Sequence, residues 1–182
     1  MRLVLIGLLA AAPVSGVAQE MPTLRTGLWT QNQVMSGLPA GAPPEMTRPI
    51  SSRMCVDDAV QRRVSAFARS NAAGCGAPRL VSAAGGARVI EVSCARGGAS
   101  QRVRTTLTGD LRTSYRADTS VSMTLPKGAP PEIARGMRDI RLVVDGRYAG
   151  ACPAGMKPGD VDIAGQKRVN MLDGIARVQA AR

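Results

Sequence analysis

The chain has 182 residues, with 24 basic side chains against 13 acidic ones, no histidine, one tryptophan, one phenylalanine and two tyrosines. Without histidine the Ser-His-Asp and Cys-His arrangements are excluded, and so few rings remove the stacking platforms on which sugar and single-strand nucleic-acid sites rely. The length suits one domain with a core of Val, Leu, Ile, Met and Ala, and a formal charge of +11 attracts anionic lipid headgroups, acidic polysaccharide or nucleic acid.

The first element is Arg2, an apolar run over residues 3–12, then Pro13, Ser15 and small residues ending at Ala18. That order reads as a secretory signal peptide cleaved after Ala18, leaving residues 19–182 as one domain in the periplasm or the medium. The run is too short to span a bilayer, and no later stretch approaches the necessary length. All four cysteines, Cys55, Cys75, Cys94 and Cys152, lie beyond it. An even number in an exported chain implies two disulfides. With no histidine and no C-x-x-C pair, neither a metal centre nor any other cofactor is expected.

Residues 24–35 read as a first strand carrying Trp29 and Gln31 on one face and Leu28 and Thr30 on the other. Residues 37–53 are rich in Gly, Pro and Ser and read as a loop. Their Leu-Pro-x-Gly-Ala-Pro-Pro-Glu segment, residues 38–45, returns at 125–132, which we read as recurrent helix-opening chemistry in preference to a duplicated half-domain. Residues 55–71 form the clearest helix, with Val56, Val60, Val64 and Phe67 at helical spacing and Gln61, Arg62, Arg63 and Arg69 opposite. Asp57 and Asp58 at its start suit helix capping better than acid–base chemistry, since sequence neighbours on a helix do not face each other.

Residues 75–94 read as a β-hairpin with a cysteine at each outer end. A four-residue loop at 83–86 places Leu80 opposite Val89 and Cys75 opposite Cys94 in a non-hydrogen-bonded pair, close enough to bridge. A two-residue turn at Gly85-Gly86 is the alternative, and it separates the cysteines. Three connectivities are open to four cysteines; the first register favours the nested one, Cys75 with Cys94 and Cys55 with Cys152, tying the helix to the end of the sheet.

Further strands follow. Residues 101–108 alternate Val103, Thr105 and Leu107 with Arg102, Arg104 and Thr106; after a Gly109-Asp110 turn, Leu111, Thr113 and Tyr115 alternate with Arg112 and Arg116. Another strand is expected at 119–125. The next begins at Asp139 and turns at Asp145-Gly146 into residues 147–152. Val169, Leu172, Ile175 and Val178 then recur at helical spacing. The whole is a mainly β, α+β chain: a curved antiparallel meander or partly closed barrel with one packed helix and a C-terminal helix. Arg102, Arg104, Arg112 and Arg116 would share an outer face, a candidate anion-binding stripe set against the plainer reading of a solvated sheet face.

The ordered set Leu24-Arg-Thr-Gly-Leu-Trp29, Cys55-Val-Asp-Asp-Ala59, the Cys75 and Cys94 hairpin and Gly146-Arg-Tyr-Ala-Gly-Ala-Cys152 resembles the bacterial exported domain-of-unknown-function family three-six-one-seven. The resemblance implies a small envelope or periplasmic β-rich domain with cysteines in these places and supplies no active-site residues. From the leader, the cysteine frame and the missing catalytic groupings, a non-enzymatic domain that binds or shields an envelope component is expected. Anionic lipid or polysaccharide binding through the arginines is the alternative, followed by a carboxylate-based hydrolase; no nucleic-acid partner is expected, and oligomeric state is not legible.

Overall fold

The computed structural model describes residues 21–39, 41–70, 74–82, 86–126, 128 and 139–181. The expected leader, the tip of the 75–94 hairpin and most of the second Pro-rich segment lie outside the described residues. The elements are β1 (Gly27–Ser36), α1 (Pro44–Thr47), β2 (Ile50–Val56), α2 (Asp58–Ser70), β3 (Arg79–Ser82), β4 (Arg88–Arg96), β5 (Ala99–Gly109), β6 (Ser114–Thr124), β7 (Asp139–Gly150), β8 (Asp160–Ile163), β9 (Val169–Asn170) and α3 (Met171–Ala180).

Among the described residues nine strands form one sheet in the order β3-β4-β5-β6-β7-β1-β2-β8-β9, with β3 and β9 at its ends, and the sheet does not close. Every ladder is antiparallel. Directly opposed residues share a face, so the registers sort the side chains. Trp29, Met54, Tyr115 and Tyr148 share the inner face with Leu107 and Val144, and Arg102, Arg104, Arg116, Arg141 and Arg53 stand on the outer one. The register shifts between Leu28 and Trp29 against β7; Trp29 joins the inner-face cluster, while Leu28, opposite Cys55, packs on the other face with Cys55 and Met156 in a second cluster.

Several expectations are corrected. Residues 50–53 belong to β2, and Cys55 and Val56 end that strand instead of opening the helix; Ser52, Met54 and Val56 alternate inward while β1 and β8 pair on either side. The helix begins at Asp58, capped by Asp57, whose Oδ1 accepts the Val60 N–H at 2.7 Å. In the hairpin, Leu80 faces Ile90 and Val81 faces Val89, one residue from the expected register. Cys75 still bridges Cys94, with Gly76 N–H donating to Ser93 O at 2.8 Å and Ala95 N–H to Gly74 O at 2.6 Å. The one-residue offset is absorbed between Gly76 and Arg79, where Pro78 has no donor to enforce a ladder.

Farther on, the two strands expected at 111–116 and 119–125 are one strand, β6, hydrogen-bonded to β5 and β7. Leu111 to Thr113 belong instead to the loop before it, where Asp110 Oδ1 accepts the backbone N–H groups of Arg112, Thr113 and Ser114 at 2.9, 2.8 and 3.1 Å. Leu111 there adopts a φ of 59° and is buried in the inner-face cluster. Asp145-Gly146 is no turn, for β7 runs straight through it. At the C-terminus α3 packs against α2 and buries Ile175, while Val169 sits in β9 before the helix. Asn170 caps α3, its Oδ1 accepting the Leu172 N–H at 2.9 Å.

Candidate functional site: an apolar pocket where helix meets sheet

The inner face is plugged beside β1 by the chain's own rings. Trp29 is fully buried, with Tyr115 and Tyr148 centroids 5.3 and 5.7 Å away and its Nε1 donating to Arg25 O at 2.8 Å. The Arg25 guanidinium lies 4.2 Å from the Tyr148 centroid. Gln31 Nε2 donates to Tyr115 Oη at 2.5 Å, and burial raises the phenol's pKa above its ordinary 10.0.

Where α2 crosses this face the filling stops. A pocket of about 220 Å³ opens between α2, β2 and the segment before β1, walled by Met21, Leu24, Met54, Val56, Val60 and Val64, with Met171 from the start of α3. The alternation of β2 delivers Met54 and Val56, and the helical period of α2 delivers Val60 and Val64. Gln61, expected on the solvent side of α2, is half-buried and turns to this segment: its Oε1 accepts the Leu24 N–H at 2.6 Å and its Nε2 donates to Leu24 O at 3.1 Å. One side chain thus imitates a strand partner and pins the pocket's near wall. The lining residues include no ionisable group, so the pocket offers hydrocarbon contact and little else.

The residues singled out from sequence lie elsewhere. Cys55 is bonded to Cys152 and Cys75 to Cys94, the nested pairing; the longer link joins β2, not the helix, to the chain just after β7. Arg102, Arg104 and Arg116 share the outer face of β5 and β6, whereas Arg112 is in the Asp110 loop. Arg104 binds Glu91 at 2.8 Å and Arg116 binds Asp145 at 2.9 Å, each on the neighbouring strand. Arg104 and Arg116 are moreover four register positions apart, about 13 Å along the strands. The structure therefore does not gather the four arginines into one cluster.

Other acids on this face are engaged in the same way. Asp118 pairs with Arg141, and Asp162 accepts from Arg168 Nε at 2.5 Å and Arg53 Nη2 at 2.9 Å. Hydrogen bonds from Arg141 and from Arg168 hold the respective carboxyls below their ordinary pKa. Asp160 is lowered by the Asn170 amide and the Lys157 N–H. A shallow polar groove of about 510 Å³ runs beside Arg53 and Asp162, bordered by Asn32, Ser51 and Gln166. Among the described residues no group of three or more Cys, Asp or Glu side chains could hold a metal ion.

Fold and pocket together define a small disulfide-stapled β-sheet domain whose one long helix leaves an apolar opening against the sheet. The chain belongs to the family described as "Protein of unknown function (DUF3617)", whose model matches residues 24–152. That span begins at the Leu24 that Gln61 holds and ends at the Cys152 that closes on Cys55, so both disulfides and the pocket walls from Leu24 to Val64 lie within it. No curated protein and no solved structure matches the chain.

Proposed function

We propose that the protein is an exported, non-enzymatic domain of the cell envelope that binds an apolar or amphiphilic envelope component in the α2–β2 pocket. The pocket itself carries this reading: an aromatic-poor chain that closes its core with three rings nevertheless leaves Met54, Val60, Val64 and Met171 around a hollow. Export is supported by the leader-like residues 1–18 and by two disulfides, which persist in oxidising compartments. No helix among the described residues is long and apolar enough to cross a membrane. A non-catalytic role is supported by the acids, because Glu91, Asp118, Asp145 and Asp162 face arginines and Asp110 and Asp160 bind backbone N–H groups.

Native mass spectrometry of the protein released from the envelope without detergent tests the reading. A bound small molecule is expected on the wild type and lost from Val64→Phe and Met171→Phe, two substitutions that fill the pocket from different elements. A bare mass for the wild type would contradict it.

A further inference from the structure

We propose that the pocket takes the hydrocarbon end of a single-chain anionic amphiphile, about eight carbons of it, with the head held outside beside Arg62 and Arg63; this rests on the binding role argued above. The lining is aliphatic and thioether throughout its apolar part, and Met21, Met54 and Met171 supply unbranched side chains that adapt to a flexible guest. Gln61 has both its amide atoms committed to Leu24, which leaves Thr23 and Ser65 as the polar lining groups to answer a ligand. A guest rich in polar groups would lose hydrogen bonds on entry.

Size limits the guest. An aliphatic cavity of about 150 Å³ holds a benzene-sized molecule. At about 220 Å³ the pocket holds proportionally more, about eight carbons, and a fused-ring lipid does not fit.

The charge of the head follows from what flanks the opening. On the other side of α2 an open groove of about 570 Å³ is lined by Ala59, Arg62, Arg63, Ala66 and Leu172. Met171 lines the pocket and Leu172 lines this groove, so the first turn of α3 borders both hollows. Arg62 and Arg63 are exposed and have no acidic partner among the described residues, in a chain of net charge +11. A carboxylate or phosphate therefore finds cations there while its chain lies between α2 and β2.

Trp29 reports occupancy. It is the only tryptophan, and its buried cluster shares Val56 with the pocket lining and is packed by the lining residues Leu24 and Met54. The purified protein is titrated, followed by Trp29 emission, with saturated carboxylates of 4 to 12 carbons below their micellar concentrations, with the matching alcohols, and with lysophosphatidylglycerol. Affinity is expected to rise about fourfold per methylene up to about eight carbons and then level off. Octanoate should bind about two- to fivefold tighter than octanol at low salt, a difference that Arg62→Glu/Arg63→Glu and high salt both abolish. Stronger binding by the lysophospholipid than by a carboxylate of equal chain length would identify phosphate, and the reverse a free fatty acid. Val64→Phe and Met171→Phe, each checked for a wild-type circular dichroism spectrum, should remove binding. Affinity independent of chain length, or equal for octanol and octanoate at low salt, would overturn the proposal. If no amphiphile binds but the native mass spectrum still shows an adduct sensitive to Val64→Phe, the acyl assignment fails and the pocket's binding role stands; if the adduct is missing too, both fail.

Discussion

The ring of Tyr115 rests against the bare Cα of Gly146 on the neighbouring strand: a Cβ at residue 146 would lie 2.1 Å from the ring's Cε1. The glycine therefore serves as the seat of a core aromatic, and the Tyr115 hydroxyl reaches Gln31 from there. Gly146→Ala should destabilise the protein by about 1–3 kcal/mol, read from urea unfolding at constant m-value, because the ring must leave its place. In a Tyr115→Leu background the same substitution should cost much less, since the two changes share one space.

The two disulfides should contribute unequally. Cys55 and Cys152 are 97 residues apart in sequence, Cys75 and Cys94 only 19. Loop entropy gives upper figures of about 4.7 kcal/mol for a link as long as the first and about 3 kcal/mol for one as short as the second. Replacing both members of a pair by Ala should thus lower the melting temperature more for Cys55 and Cys152, a difference that calorimetry of the two double variants measures directly.

Acid should weaken the fold in a stated direction. Asp110, Asp118, Asp160 and Asp162 all have folded-state pKa values below the ordinary 3.8, so near that pH the unfolded chain binds more protons than the folded one. The stability these groups supply is complete above the ordinary carboxylate range and is lost as pH falls through the lowered values. For Asp110 the cause is the Thr113 backbone N–H first, then the Thr113 hydroxyl and the N–H groups of Arg112 and Ser114. Melting temperatures taken from pH 6 downwards should fall below about pH 4, and Asp110→Asn should melt lower at pH 6 with a shallower acid limb.

The arginines of the expected stripe should divide into two classes. Reversing Arg104 or Arg116 places like charge beside Glu91 or Asp145 and should lower the melting temperature at low salt, with little effect at high salt. Reversing Arg102 and Arg112, which pair with no acid among the described residues, should leave the melting temperature unchanged while weakening adsorption to anionic vesicles.

The β-rich class and the link between Cys75 and Cys94 were legible because they depend on local pattern: the alternation around Val103 and Leu107 declares itself within a few residues, and the two cysteines meet although the register expected between them is one residue off. What was not legible depends on partners distant in sequence. Asp145-Gly146 carries a strong turn signal, and only the approach of Tyr115 from β6 shows why the glycine is there. Ser52, Met54 and Val56 alternate, but a Gly- and Pro-rich approach and the helical spacing of Val56 with Val60 concealed the strand. Likewise Gln61 looks like surface on a helical wheel, since its partner is the backbone of Leu24, 37 residues earlier. The pocket is assembled from four separate segments, and no single stretch of sequence announces it.

Methionine-methyl NMR during an octanoate titration examines the pocket most directly, because Met21, Met54 and Met171 line it while Met35, Met46 and Met123 do not. Occupancy of the α2–β2 pocket predicts saturable shifts confined to the first three methyls, absent in Val64→Phe. Unmoved methyls at saturating octanoate, or shifts in Met35 and Met123 with none in Met54, would contradict it.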